Sequence, residues 1–430
     1  MIRSHYIGQL SAEMDGKEVT LAGWVHEVRE TGKITFLLLR DRTGVAQIIG
    51  KKGETEGRIL KGMTLPKESV VKVVGIVKAN KEAKAGFEIV PTEITDLNPL
   101  SAKIPFEVTG KVPVEIDVRL DYRYIDLRRA KPTAIFNIES TLMNTFLELQ
   151  KERGFVTIRP PSIIAEASEG GSDLFPIAYF EKEAYLAQSP QIYKQLAVVG
   201  GIDKVTMITP VFRAEKSNTV YHLTESTQMD IEMGFADHND AIKALSETVR
   251  SMIKAVKEKN AKDLETLKAP PLEVPEVKEV TYEEVIDLLH KRGHALEFGN
   301  DITREHEAAI HREFGEAVII KEFPAAIRAF YSMPKADNPE LTNSFDFIYR
   351  GLEISSGAQR IHIPELLIKS LEKQGMDPKK FEFYIHAFRC GAPPHAGWSI
   401  GLERFAMRIT GSDNIRECSL FPRDRKRVKP

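Results

Sequence analysis

The sequence predicts an α+β protein in two parts, a small closed β-barrel followed by a larger unit of strands and helices. Three observations lead there. The first hundred residues are a succession of short runs rich in β-branched and aromatic residues, separated by turn residues. A stretch dense in proline and turn formers, NPLSAKIPFEVTGKVPVE at 98–115, then breaks that pattern. Beyond it, amphipathic helical periods alternate with strand-like runs.

The elements follow in order. EVTLAGWVHEV (18–28), ITFLLLRD (34–41), GVAQIIG (44–50), SVVKVVGIVKA (69–79) and GFEIVPTEITDL (86–97) read as five strands, which fit a small barrel such as the OB-fold. The expected boundaries are a barrel over 1–100, a linker over 101–130 and a larger domain over 131–430 with an insertion at about 260–345. In that domain Ile135, Ile138, Leu142, Phe146 and Leu149 recur at helical spacing, predicting a helix over 133–152 that Gly154 stops. GFVTIRPPSII (154–164) is a strand broken by two prolines, and YLAQSPQIYKQLA (185–197) turns from strand into helix at Ser189 and Pro190. KVTMITPVFRAE (204–215) and TESTQMDIEMGF (224–235) alternate as paired strands, ahead of an amphipathic helix over 240–260. Strand signals return at SFDFIYRGLEISSG (344–357), followed by helices near 363–374 and 379–389 and the glycine-punctuated run GAPPHAGWSIGLERFAMRI.

Composition narrows the class. Two cysteines in 430 residues exclude a disulfide scaffold and suit a reducing cytosol. MIRSHYIGQL lacks the apolar core of a secretory signal, and no apolar run reaches membrane-spanning length, so a cytoplasmic location without membrane contact is expected. A formal net charge of −2 requires local basic patches for any polyanionic partner. HEAAIH (306–311) spaces its histidines five apart, which puts them on different helix faces and argues against a zinc helix.

FRAEKSNTVYHLTE (212–225) carries unusual charge for a hairpin. Arg213 and Glu215 share one strand face, and the return strand brings His222 near them. The planar guanidinium of Arg213 suits a bidentate grip on a carboxylate or phosphate; a surface ion pair is the plainer alternative.

Three stretches in order resemble the signatures of class II aminoacyl-tRNA synthetases: GFVTIRPPSII with Pro161, FRAE followed by His222, and GWSIGLERFAM (397–407). Through RLDYRYIDLRR, EGGSDLF, QSPQIYKQ, EISSGAQRIH, GAPPHAG and LFPRDRKR, the chain resembles the archaeal-type aspartyl-tRNA synthetase family over essentially its full length. The resemblance implies an N-terminal OB-fold anticodon domain, a catalytic domain on an antiparallel sheet flanked by helices, and a homodimer. It also implies ATP and L-aspartate as substrates, Mg2+ as cofactor and tRNA(Asp) as acceptor, with tRNA(Asn) left open as a second one. Both chemical steps are in-line displacements that need charge neutralisation and positioning. By the resemblance Arg213 holds the α-phosphate and the substrate carboxylate, and Arg404 clamps the far phosphates. Ala214, Glu215, Tyr221, His222, Leu223, Glu353, Gly401, Leu402 and Glu403 complete the ATP site, with Glu353 and Ser356 on the metal. Strand parity puts those two on opposite faces, so a twist or bulge before Gly357 is expected.

A buried substrate carboxylate demands cations, and Lys194 and Arg360 are the candidates. An ammonium offers no acceptor for an amide NH2, which argues against an asparagine-activating relative. Glu169, beside Gly170 and Gly171 in a lid, is implied to receive the substrate ammonium, with Gln191 and Ser356 lining the pocket. In the barrel His26, Phe36, Gln47 and Lys84 match anticodon-contacting positions. Phe36 fits either the barrel core or a stacked base. His26 resembles relatives that also charge tRNA(Asn), whereas Lys84 resembles the strict type. Ser399 departs from the glycine usual in the third signature.

Overall fold

The computed structural model describes residues 1–165, 173–215 and 219–430. They form two compact units, Met1–Arg129 and Ala130–Pro430.

In the first unit β1 (Glu18–Thr31), β2 (Ile34–Asp41), β3 (Gly44–Lys51), β4 (Val70–Ala79) and β5 (Phe87–Asn98) close into a barrel ordered β1-β2-β3-β5-β4, with α1 (Gly57–Met63) between β3 and β4. Alternation decides what faces inward. Val19, Leu21, Leu37, Leu39, Ala46, Ile48, Val71 and Val73 fill the barrel, and the residues between them face out. Pairing of β1 with β2 shifts between Val25 and Glu27, which leaves His26 as the extra residue of a bulge. The short helices α2 (Ile116–Asp121) and α3 (Arg123–Asp126) end the unit. The stretch expected as a linker packs with the barrel: Arg128 pairs with Glu68 at 3.0 Å and its guanidinium lies 5.3 Å from the Trp24 ring centroid.

The second unit opens with α4 (Ala130–Glu152), β6 (Val156–Thr157), β7 (Ile163–Ile164), β8 (Pro176–Tyr179), β9 (Lys182–Leu186) and α5 (Gln191–Val199). It continues with β10 (Lys204–Phe212), β11 (Glu225–Gly234), α6 (His238–Lys259), α7 (Ala261–Leu267), β12 (Val277–Thr281), α8 (Tyr282–Lys291), α9 (Arg304–Phe314) and β13 (Ala317–Lys321). It closes with β14 (Ser344–Tyr349), β15 (Leu352–Gln359), α10 (Pro364–Lys373), α11 (Glu382–Arg389), β16 (His395–Gly401) and α12 (Leu402–Thr410). Eight strands make one sheet, ordered β12-β13-β14-β15-β16-β11-β10-β6, and β7-β9-β8 make a small second one. The large sheet is antiparallel through its middle and parallel only at its edges, where β12 joins β13 and β6 joins β10. Residues 260–345 thus supply two strands of this sheet, and they build a core of their own around Tyr282, Val285, Leu289 and Ile310.

The two faces of the sheet differ because its strands alternate. Met229, Ile231, Phe345, Phe347, Ile354, Trp398 and Ile400 pack under α4, α6 and α12, against Leu142, Phe146, Val249, Met252 and Phe405. Burying each such side chain stabilises by roughly 1.5–3 kcal/mol. The intervening residues Gln228, Asp230, Glu232, Asp346 and Ser399 point the other way and make that face polar. Along β15 the pairing slips between Phe347 and Ile348, so that Ser355 and Glu353 are partners of successive residues and Ile354 is the extra one. That bulge turns Glu353 and Ser356 onto the same polar face, Ser356 lying opposite Ser399.

Candidate active site

The polar face carries a cavity whose walls come from a hairpin, three strands and a helix. Arg213, Glu215, Tyr221, His222 and Leu223 descend from the hairpin between β10 and β11, which is anchored by Arg213 N–H donating to the Thr224 carbonyl at 2.9 Å. Ser226 and Gln228 of β11, Glu353 to Ser356 of β15, and Ser399 and Gly401 of β16 form the floor. Glu403 and Arg404 enter from the first turn of α12. Arg404 donates to the Glu353 carbonyl at 3.4 Å, and His222 Nε2 lies 3.3 Å from Glu215.

The cavity holds its charges under tension. Burial pushes the Glu353 carboxyl up to about 7, with Asp346 and Glu307 adding to the effect against Arg404 and Arg328. Burial likewise lifts Glu403 to about 7, although the Thr227 N–H donates to both of its oxygens at 3.0 Å. His222 is held below its ordinary value by burial and by Arg404, Arg304 and Arg213, which outweigh Glu215.

Behind the Ser399 wall lies a second, closed set of charges. Lys194 of α5 donates to Asp230 at 2.8 Å and sits 3.5 Å from Glu232, while Arg360 grips Glu232 with two bonds of 2.9 and 3.2 Å. All four residues are 3% exposed or less. Burial pushes the Glu232 carboxyl up, but Arg360 and Lys194 together outweigh it and hold it below its ordinary value. Gly397 permits the arrangement, since a Cβ there would come within 2.3 Å of Glu232. Ser399 donates to the free oxygen of Asp230 at 3.1 Å and so joins this quartet to the cavity.

Of the residues singled out from the sequence, the cavity wall gathers Arg213, Glu215, Tyr221, His222, Leu223, Glu353, Ser356, Gly401, Glu403 and Arg404. Lys194 and Arg360 lie one layer deeper, drawn there by Asp230 and Glu232. Gln191 is buried and donates to Gln195 at 3.0 Å, so it does not line the cavity. Ala214 faces a neighbouring cavity beside Phe212, and Leu402 belongs to the apolar core under the sheet. Glu169, Gly170 and Gly171 lie outside the described residues. Sequence reading missed Asp230 and Glu232, although acids at alternate positions of an otherwise apolar strand, QMDIEMG, signal buried charges in need of partners.

In the first unit Phe36 is half-buried and outside the barrel core, one pair along the outer face from the Leu38–Gln47 pair. Strand phase therefore takes Phe36 out of the interior. Gln47 reaches Glu88 at 3.5 Å, and Lys84 is exposed in the turn between β4 and β5. His26 meets Arg40 at 3.0 Å, and burial followed by Arg40 lowers its pKa.

Comparison with known proteins covers both units. The family described as tRNA synthetases class II (D, K and N) matches residues 115–425, and the family described as OB-fold nucleic acid binding domain matches residues 19–97. The aspartate–tRNA(Asp/Asn) ligase of Methanopyrus kandleri is 46% identical over 434 residues, covering 100% of both chains. That of Methanocaldococcus jannaschii is 44% identical, covering 100% of this chain and 98% of its own. Among solved structures, asparaginyl-tRNA synthetase from Pyrococcus horikoshii complexed with asparaginyl-adenylate aligns with a TM-score of 0.94 at 33% identity over 100% of both chains. Aspartyl-tRNA synthetase from Entamoeba histolytica aligns with a TM-score of 0.88 at 33% identity, over 99% of this chain and 92% of its own. The first of these families spans residues 115–425, more than half of the chain, and the relatives match along its full length: the chain belongs to the class II tRNA synthetases of the D, K and N family.

Proposed function

We propose that this aminoacyl-tRNA synthetase activates L-aspartate with ATP to aspartyl-adenylate and transfers the aspartyl group to tRNA(Asp) and tRNA(Asn). The observation that carries the choice of aspartate is the buried pair Lys194 and Arg360 beside the cavity. Both offer only donors, which suits a carboxylate better than an amide NH2, whose acceptors would have to be Asp230 and Glu232, already engaged by these cations. The pair is already locked by Asp230 and Glu232, so little side-chain ordering remains when a substrate arrives. The names of the Methanopyrus and Methanocaldococcus relatives support both the amino acid and the two acceptors.

In this reading Arg213 holds the aspartate α-carboxylate against the α-phosphate, so that the two reacting groups meet in line. Arg404 neutralises the departing pyrophosphate, and Glu215, Tyr221, His222, Leu223, Gly401 and Glu403 seat the adenosine. Glu169 receives the substrate ammonium. Glu353 and Ser356 present hard oxygen donors on one face, and the raised Glu353 carboxyl is an acid short of positive charge, so the pair fits magnesium. Bound with ATP, magnesium would supply charge neutralisation at the phosphates. Ala214 and Leu402 serve this site through the backbone or through packing, since neither side chain reaches the cavity.

On the barrel, outward-facing Phe36 stacks an anticodon base, worth roughly 1–3 kcal/mol. Gln47, His26 and Lys84 take part in the same recognition. The chain acts in the cytoplasm as a homodimer formed through α4 and β6, whose Val156 is half exposed on the sheet edge. Among the described residues no helix is long and apolar enough to cross a membrane.

Pyrophosphate exchange with aspartate and with asparagine, in the absence of tRNA, tests the first step; charging of purified tRNA(Asp) and tRNA(Asn) tests the second. Aspartate-dependent exchange and aspartylation of both tRNAs are expected. Exchange driven by asparagine alone would overturn the amino-acid assignment, and rejection of tRNA(Asn) would restrict the acceptor.

A further inference from the structure

Arg304 opens α9, in the segment 260–345 to which the sequence assigned no task. That helix packs on β13, β14 and β15, the last being the strand that carries Glu353. The Arg304 guanidinium lies 4.3 Å from the centroid of the Tyr221 ring, and Tyr221 and His222 line the cavity together with Glu353 and Arg404. Its position is therefore set by a cation–π contact with a wall residue of the site itself.

Arg304 is not fully employed where it stands. Its Nη1 is shut away from water and has no hydrogen-bond acceptor. The nearest acid, Glu307, is 3.6 Å away, beyond hydrogen-bond reach, and already accepts the Glu353 N–H at 3.3 Å. A buried donor left unmade costs about 1–3 kcal/mol, a cost that a bound acceptor would offset. Arg304 also stands among like charges, since Arg404 acts on it directly and both Arg404 and Arg213 act with it on His222. Two guanidiniums, Arg213 and Arg404, line the cavity and a third stands against its Tyr221 wall, more positive charge than a single carboxylate or α-phosphate needs.

We propose that Arg304 is a third phosphate-binding cation of this site, holding the β- and γ-phosphates of ATP alongside Arg404. The proposal rests on reading the cavity as the nucleotide site and assigns residues 260–345 a part in it. An arginine delivered by a separate helix would sense the far phosphates without touching adenosine or amino acid.

Calorimetric binding of ATP and of AMP to the full chain, each with magnesium, tests this on wild type, R304Q and R304K. The R304Q substitution should weaken ATP roughly 10- to 100-fold while leaving AMP within about twofold, because AMP lacks the far phosphates. The lysine should restore part of the ATP affinity, since it keeps the charge and loses the fork. Unchanged ATP binding in R304Q would overturn the proposal. Equal losses for ATP and AMP would also overturn it, because Arg304 would then merely prop Tyr221. The expected ATP and AMP pattern in a chain that failed to use aspartate would uphold the role of Arg304 and sink the aspartate reading separately.

Discussion

The candidate active-site cavity and the quartet behind it are built from the same kinds of residue and treat their charges in opposite ways. In the quartet Lys194, Arg360, Asp230 and Glu232 balance one another inside a sealed layer, with every strong contact at 2.8–3.5 Å. In the cavity Glu353 and Glu403 are pushed to about 7 and Arg304 keeps an idle donor. A balanced network resists rearrangement and can hold the pocket wall in front of it, at Ser399, fixed for a small, constant group such as a substrate side chain. An unbalanced one is completed by what it binds, as expected where a polyphosphate and its cation come and go. On the proposed function, selectivity and turnover fall to adjacent layers of one sheet face, joined through Ser399.

The contrast can be broken first at its strongest point. Glu232→Gln should leave Arg360 without its buried counter-charge and cost about 3–5 kcal/mol of stability. Denaturant unfolding measures this, and a loss below about 1 kcal/mol would mean that the quartet is not a mutually dependent network. Arg213→Ala should leave stability nearly intact and lower exchange about 100- to 1000-fold, as for a lost charge-stabilising donor. An active Arg213→Ala enzyme would remove the cavity from the chemistry.

A pH titration separates the regions more gently. A carboxyl whose folded pKa is raised from its ordinary 4.5 to about 7 favours the folded state fully at low pH, and that contribution is lost as pH rises through this window. Unfolding free energy should therefore decline from about pH 4.5 to 7, and Glu403→Gln should shrink the slope; an unchanged slope would place the proton elsewhere. The smallest effect belongs to the bridge. Ser399→Ala removes one hydrogen bond to Asp230 and should cost about 0.5–1.5 kcal/mol, appearing mainly as a higher KM for aspartate rather than a lower kcat. If KM for ATP alone rose, Ser399 would belong to the nucleotide side only.

Much of this was legible beforehand, for identifiable reasons. The barrel strands and the pairing of β10 with β11 follow from alternation, a property of a few successive residues. The helix over α4 follows from 3.6-residue spacing, and Arg213, Glu215 and His222 could be grouped because one hairpin holds them. The need for a bulge near Gly357 was readable from parity, yet only the tertiary structure locates it at Ile354. Phe36 stayed ambiguous because an isolated strand has two faces and nothing local says which is inside.

The sequence by itself determined which segments are strands and helices, which strand positions are apolar, and which charged residues must lie close along one hairpin. Only the tertiary structure decided that Arg360 meets Glu232 across 128 positions of chain, that Lys194 spends its charge on Asp230, and that Arg304 arrives at Tyr221 from a helix of another segment. The reason is physical. Backbone geometry repeats over a few residues and imprints itself on the order of side chains, whereas an ion pair depends on sheet register and helix packing between segments whose spacing in sequence carries no record of their distance in space.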